Sequence, residues 1–256
     1  GGGGRRGSAV PAPVPVITPR FVPTCTAELM RGLGQLAARH GLHIQSHVSE
    51  NRSEIAWVSS LHPEGASYTA VYDGFGLLTA RTLLAHGVYL EPEERALLAR
   101  RGAAVSHCPS SNAMLRSGML NVRRLLDEGV AVALGTDVSG GASPSMLDAI
   151  REALKISNMV SVTAPDDEPP CAPLTYAEAF WLATVGGANA LSVEGLTGTL
   201  AAGSDFDALL VEPAAPSGPI DLYDSDSTLD AFQKWIQLGD DRNIAAAYVR
   251  GHKASV

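Results

Sequence analysis

Cysteine is scarce in this 256-residue chain, with only Cys25, Cys108 and Cys171, far apart and without a CxxC. An odd and scattered set excludes a disulfide framework and a zinc knot of paired cysteines, and leads us to expect a reducing, cytosolic setting. No run of about 20 apolar residues occurs, so a membrane span is not expected. Positive charge is also short: 19 Lys and Arg stand against 27 Asp and Glu, a net charge of −8. That balance argues against nucleic acid or an anionic membrane as partner and leaves a small molecule as the default ligand. No GxSxG elbow, Walker loop or GxGxxG after a strand is present, which removes the signals of serine hydrolases, P-loop NTPases and Rossmann dehydrogenases. The PCxxC of cytidine-deaminase zinc sites is missing too, since Cys108-Pro109 runs in the reverse order.

What is present is a globular balance, 45% hydrophobic and 18% charged, in a length suited to one large domain or one domain with an appendage. Residues 1–13 are low-complexity and read as a disordered segment; prolines at 11, 13 and 15 interrupt any leader-like apolar region. From Val14, apolar runs alternate with segments of helical period, the pattern of βα units. The expected strands are Val14–Thr18, Leu42–Val48, Thr82–His86, Ala103–Cys108 and Val130–Thr136. Helices are expected where Leu29, Leu33, Leu36 and Ala37 share a face, after a capping box at Asn51 and Glu54, over Pro92–Arg101, Val122–Glu128 and Ser145–Val160, and from a Thr175/Glu178 box to about Ala190. Asp166–Pro173 reads as an acidic, proline-rich loop. Gly203–Val211 reads as a strand, and Tyr248–Lys253 as a second strand with a turn at Gly251, of a small β appendage beginning near residue 195.

In a parallel βα fold the loops after the strand C-termini form the ligand face. Polar residues fall there repeatedly: Arg20 after the first expected strand, His47 and Glu50 after the second, His86 at the end of the third, and Asp137 after the fifth. Two imidazoles and a carboxylate with open positions suit a catalytic zinc or ferrous ion. Glu50 then fits a proton shuttle beside bound water, and Arg20 an electron-rich substrate edge. The plainer alternatives are a surface ion pair for Arg20 and a helix-dipole role for Glu50. His107, followed at once by Cys108-Pro109, reads as a packing residue or neighbour of the site. His40, His43, His62 and His252 read as structural or exposed.

The segments Thr18–Phe21 (TPRF), Leu42–Asn51 (LHIQSHVSEN), Ala85–Gly87 (AHG), His107–Asn112 (HCPSSN), Gly135–Asp137 (GTD) and Leu238–Ile244 (LGDDRNI) together resemble the guanine deaminase branch of the amidohydrolase superfamily. The resemblance covers Val16 to the C-terminus and implies an α/β fold, a (β/α)8 barrel of which this chain holds about strands 4 to 8 over residues 14–194, and part of a small β-sandwich domain over residues 195–256. It implies hydrolytic deamination of guanine to xanthine and ammonia, with one zinc ion per subunit, guanine as ligand and a homodimer. By the same likeness His47 and Asp137 bind zinc, His86 binds it or polarises the attacking water, Glu50 carries a proton to the ring nitrogen, and Arg20 and Phe21 contact the purine. The family's opening HxH pair, two of its four zinc ligands, does not occur in this sequence, so an N-terminally truncated form is expected, prone to aggregation or in need of a partner. Two alternatives stand beside this: an inactive guanine deaminase-like protein that binds a partner subunit, and a related amidohydrolase acting on another aminated heterocycle.

Overall fold

Each apolar run that ends in a polar residue pairs with the next such run along the chain. In the computed structural model, which describes residues 14–163 and 171–254, the strands are β1 (Val16–Ile17), β2 (His43–Val48), β3 (Thr82–His86), β4 (Ala104–His107) and β5 (Ala131–Leu134). They form one parallel sheet in the order β1-β2-β3-β4-β5. All five lie inside the expected ranges. Residues 1–13, expected to be disordered, and most of the expected acidic loop lie outside the described residues.

Side chains alternate across a pleated strand, and the register sorts them cleanly. Ser46, Leu84, Val105 and Val132 are aligned and buried on one face, against the helices that hold the main core. The opposite face carries Gln45, Leu83, Ala104 and Ala131 in one row and His47, Ala85, Ser106 and Ala133 in the next. Among the described residues that second face has only a small cluster, Ala104, Ala133 and Ala190 with Leu83 and Ala131.

The helices start and stop where local chemistry dictates. Helix α1 (Ala27–His40) is capped by Thr26, whose hydroxyl accepts from the Leu29 N–H, and is ended by Gly41 in the left-handed conformation. Helix α2 (Arg52–Leu61) is capped by Asn51, but the reciprocal half of the expected box is absent: Glu54 is buried and accepts instead from the Tyr68 hydroxyl at 2.7 Å and the Glu50 N–H at 3.2 Å. Helix α3 (Tyr68–Gly74) is followed by α4 (Pro92–Arg101), which Gly102 ends, and by the short α5 (Pro109–Met114) and α6 (Val122–Asp127). Helix α7 (Met146–Thr163) runs three residues further than its sequence pattern suggested.

The helix expected from Thr175 to Ala190 is broken at Thr184 into α8 (Tyr176–Ala183) and α9 (Val185–Ala190). The break lets Gly186 approach the sheet so closely that a Cβ there would lie 3.0 Å from the Val132 carbonyl oxygen. Towards the C-terminus β6 (Ala208–Val211), β7 (Ile244–Val249) and β8 (His252–Lys253) form an antiparallel sheet, with α10 (Thr228–Leu238) between β6 and β7. The strand expected over Tyr248–Lys253 with a turn at Gly251 is a hairpin, turned by Arg250 and Gly251 at positive φ. Among the described residues no helix is long and apolar enough to cross a membrane.

Candidate functional site

Strand alternation alone would set His47 and His86 apart, because His86 aligns with Val48 and not with His47. The backbone resolves this at the strand end. His86 has φ +74, a left-handed conformation unusual for a side chain with a Cβ. Its ring lies against that of His47, with centroids 5.1 Å apart and planes 27° from parallel. Ser49 and Asp137, also at the ends of the second and fifth strands, have φ +46 each. Three non-glycine residues at positive φ on one rim are the pattern of strain held at a functional site.

Both imidazoles are oriented through Nδ1. His47 Nδ1–H donates to the Arg20 carbonyl at 2.7 Å, and His86 Nδ1–H donates to the Asn112 side-chain oxygen at 2.9 Å. Each ring is left with Nε2 as its lone-pair atom, the arrangement that suits an imidazole ligand or base. Glu50 joins them, with Oε2 3.7 Å from His86 Nε2 and Oε1 accepting from the Ser117 hydroxyl at 2.8 Å. Beside Glu50 opens a groove of about 790 Å³, lined also by Arg52, Tyr89, Leu115 and Arg116. The Arg52 guanidinium lies over the Tyr89 ring at 4.5 Å.

The buried side supports this cluster. The Tyr72 hydroxyl donates to the His47 carbonyl at 2.8 Å and lies 2.6 Å from the Ser46 hydroxyl; burial pushes its pKa up, so it stays a neutral donor. His107 is fully buried in β4 and neither ring nitrogen has a partner among the described residues. Burial, with a smaller contribution from His86, drives its pKa down to about 3. Burial likewise lifts the Cys108 thiol to about 11, which makes it inert as a nucleophile.

The remaining expected residues are dispersed around the pair. Arg20 brings its carbonyl to His47 while its side chain is exposed. Phe21 packs edge-on against Trp57, a half-exposed ring that the sequence pattern did not single out, at 6.2 Å and 81°. Asp137 sits in a loop folded tightly on glycine: a Cβ at Gly140 would stand 2.8 Å from Asp137 Oδ2, and one at Gly141 would collide with the Thr136 carbonyl oxygen. Among the described residues no group of three or more His, Cys, Asp and Glu side chains is gathered closely enough to hold a metal. The donor types thus fit zinc in His47 and His86, whereas a complete ligand set does not assemble among the described residues.

Sequence reasoning missed Asn112 and Ser117 as parts of the site. Asn112 lies inside the HCPSSN segment, which was its only signal; Ser117 had none.

The chain is similar to known proteins over most of its length. The chain is 48% identical over 241 residues to guanine deaminase of Mus musculus and 46% identical over 239 residues to that of Dictyostelium discoideum, covering 93% of this chain and 52% of each relative. Among solved structures, that of guanine deaminase from C. acetobutylicum with bound guanine superposes with a TM-score of 0.85 at 39% identity, covering 93% of this chain and 55% of that one. The chain therefore spans about half the length of the relatives it matches. Residues 12–253 match the Amidohydrolase family, and it is to this family that the chain belongs.

Proposed function

We propose that this chain carries part of the active site of a guanine deaminase, which converts guanine and water to xanthine and ammonia. The observation that carries the reading is the cluster of His47, His86 and Glu50 at the ends of adjacent parallel strands, in a sequence 46–48% identical to named guanine deaminases. On this reading the five-stranded sheet is about strands 4 to 8 of a (β/α)8 barrel, and the antiparallel sheet belongs to a small β domain beginning near residue 195. One zinc ion per subunit, a homodimer and a cytosolic location complete the proposal from the resemblance.

The chemistry requires a water oxygen to bond to the amino-bearing carbon, and the nitrogen to leave as ammonia rather than as amide ion. That departure needs protons delivered to the ring and to the leaving group. This reading gives that role to Glu50, and what supports it is that one oxygen is held by Ser117 while the other faces His86 beside the groove. Arg20 and Phe21 are assigned to the purine, by hydrogen bond and packing, and Asp137 to the proton of the attacking water. Because the full metal ligand set is not gathered among the described residues, no step is assigned to the ion.

Incubation of the purified chain with guanine and zinc, with xanthine followed by chromatography and bound metal by atomic absorption, tests the reading. Xanthine formation that drops about 10²–10⁴-fold in Glu50→Gln is the expected result. The dispersed donors favour a second reading, an inactive guanine deaminase-like protein that works by binding a partner subunit. Absence of both turnover and stoichiometric zinc would select it; turnover of another aminated heterocycle but not guanine would redirect the substrate assignment.

A further inference from the structure

We propose that Asn112 is a positioning residue that fixes His86 as its Nδ1–H tautomer and thereby presents a bare Nε2 lone pair to Glu50. The inference deepens the functional reading above and rests on it for its purpose.

The His86 ring is 1% exposed, so bulk water does not choose its tautomer. Its Nδ1 lies 2.9 Å from Asn112 Oδ1. An amide oxygen has no proton to give, so the imidazole must supply it. A neutral ring carries one N–H, and Nε2 is consequently an acceptor, 3.7 Å from a Glu50 oxygen. Two acceptors facing each other at that separation favour a donor between them, such as a polar hydrogen of a ligand. A pair that receives and returns a proton needs that property.

Asn112 is itself firmly held. It is 1% exposed on α5, whose first turn is set by Pro109. Its N–H donates to the Cys108 carbonyl at 3.0 Å, and its carbonyl accepts from the Ser117 N–H at 2.8 Å. Ser117 in turn donates to Glu50. One residue therefore anchors His86 by its side chain and, through the next turn, the residue that holds Glu50. A role in packing alone accounts poorly for this choice, because the Asn112 amide nitrogen is buried without a partner among the described residues. That burial is costly, and an apolar residue of similar size would avoid it.

The test reads the tautomer directly, without turnover. The full chain is labelled with ¹⁵N-histidine and its ring nitrogens are recorded at about pH 8, above the ordinary imidazole range, with His86 assigned by its loss in His86→Gln. The expected spectrum places the His86 proton on Nδ1. Asn112→Asp, which keeps an acceptor, retains that tautomer, whereas Asn112→Leu shifts the proton to Nε2. An Nε2–H tautomer in the parent chain overturns the proposal, as does an unchanged tautomer in a folded Asn112→Leu chain. Should the leucine variant fail to fold, the parent and aspartate spectra still decide, since Nε2–H in either overturns it. A chain that forms no xanthine but shows the expected tautomers would refute the functional reading alone.

Discussion

His107 is an uncharged imidazole sealed from water, and its titration has a consequence for stability. The unfolded chain takes up a proton here near pH 6.5, the folded chain only near 3. Between those values the unfolded state binds more protons, so stability is full above about pH 6.5 and falls with acidification, by up to about 1.4 kcal/mol per pH unit. Urea unfolding at a series of pH values between about 6.5 and 5, where carboxylates contribute little, should show this slope, and His107→Leu should flatten it; equal slopes in the two chains would refute the assignment. His47, His86, Glu50 and Asp137 were legible because each follows an apolar run in a sequence of βα units. Asn112 and Ser117 were not, because their partners lie 26 and 67 residues away, and a serine or asparagine after a proline reads equally well as turn chemistry. Nor did sequence alone show that His86 escapes strand alternation by adopting φ +74.

Between elements, buried carboxylates act as fasteners. Glu94, the third residue of α4, is 4% exposed. One of its oxygens accepts from both the backbone N–H and the hydroxyl of Thr69 on α3, at 3.0 and 3.2 Å, and the other closes the box with the Glu91 N–H at 3.1 Å. Glu94→Ala removes the link and leaves a buried N–H unpaired, an expected loss of about 1.5–3 kcal/mol that chemical denaturation would measure; a change within about 0.5 kcal/mol, the range of an ordinary surface substitution, would show the contact to be idle. The alternation of strand and helix periods was readable because apolar spacing is a local property. Helix α10 escaped notice because its start is marked by Ser227 with Asp230 rather than the usual Glu or Gln, within a stretch dense in proline and aspartate. The break at Thr184 answers to the close fit of Gly186 on β5, a tertiary demand whose one local sign is the Gly186-Gly187 pair.

At the scale of the molecule, the parallel sheet has two outer strands, β1 and β5, and one face with little cover among the described residues. Leu209, Leu210 and Val249 on the antiparallel sheet are more than half exposed as well. Unpaired strand edges and apolar area of this kind favour self-association. Sedimentation velocity across a range of concentrations should show mass increasing with concentration; a single monomeric boundary throughout would contradict it. The net charge of −8 opposes association, so added salt should promote it by screening.

The strictly sequential strand order has a bearing on biosynthesis. From β2 onward, each strand of the parallel sheet docks beside the one made just before it, so these four pairings can form in the order of synthesis. The adhesive border on the growing side moves outward with each unit completed while that of β1 stays where it formed, and a chaperone guarding the former would have to follow the growing end.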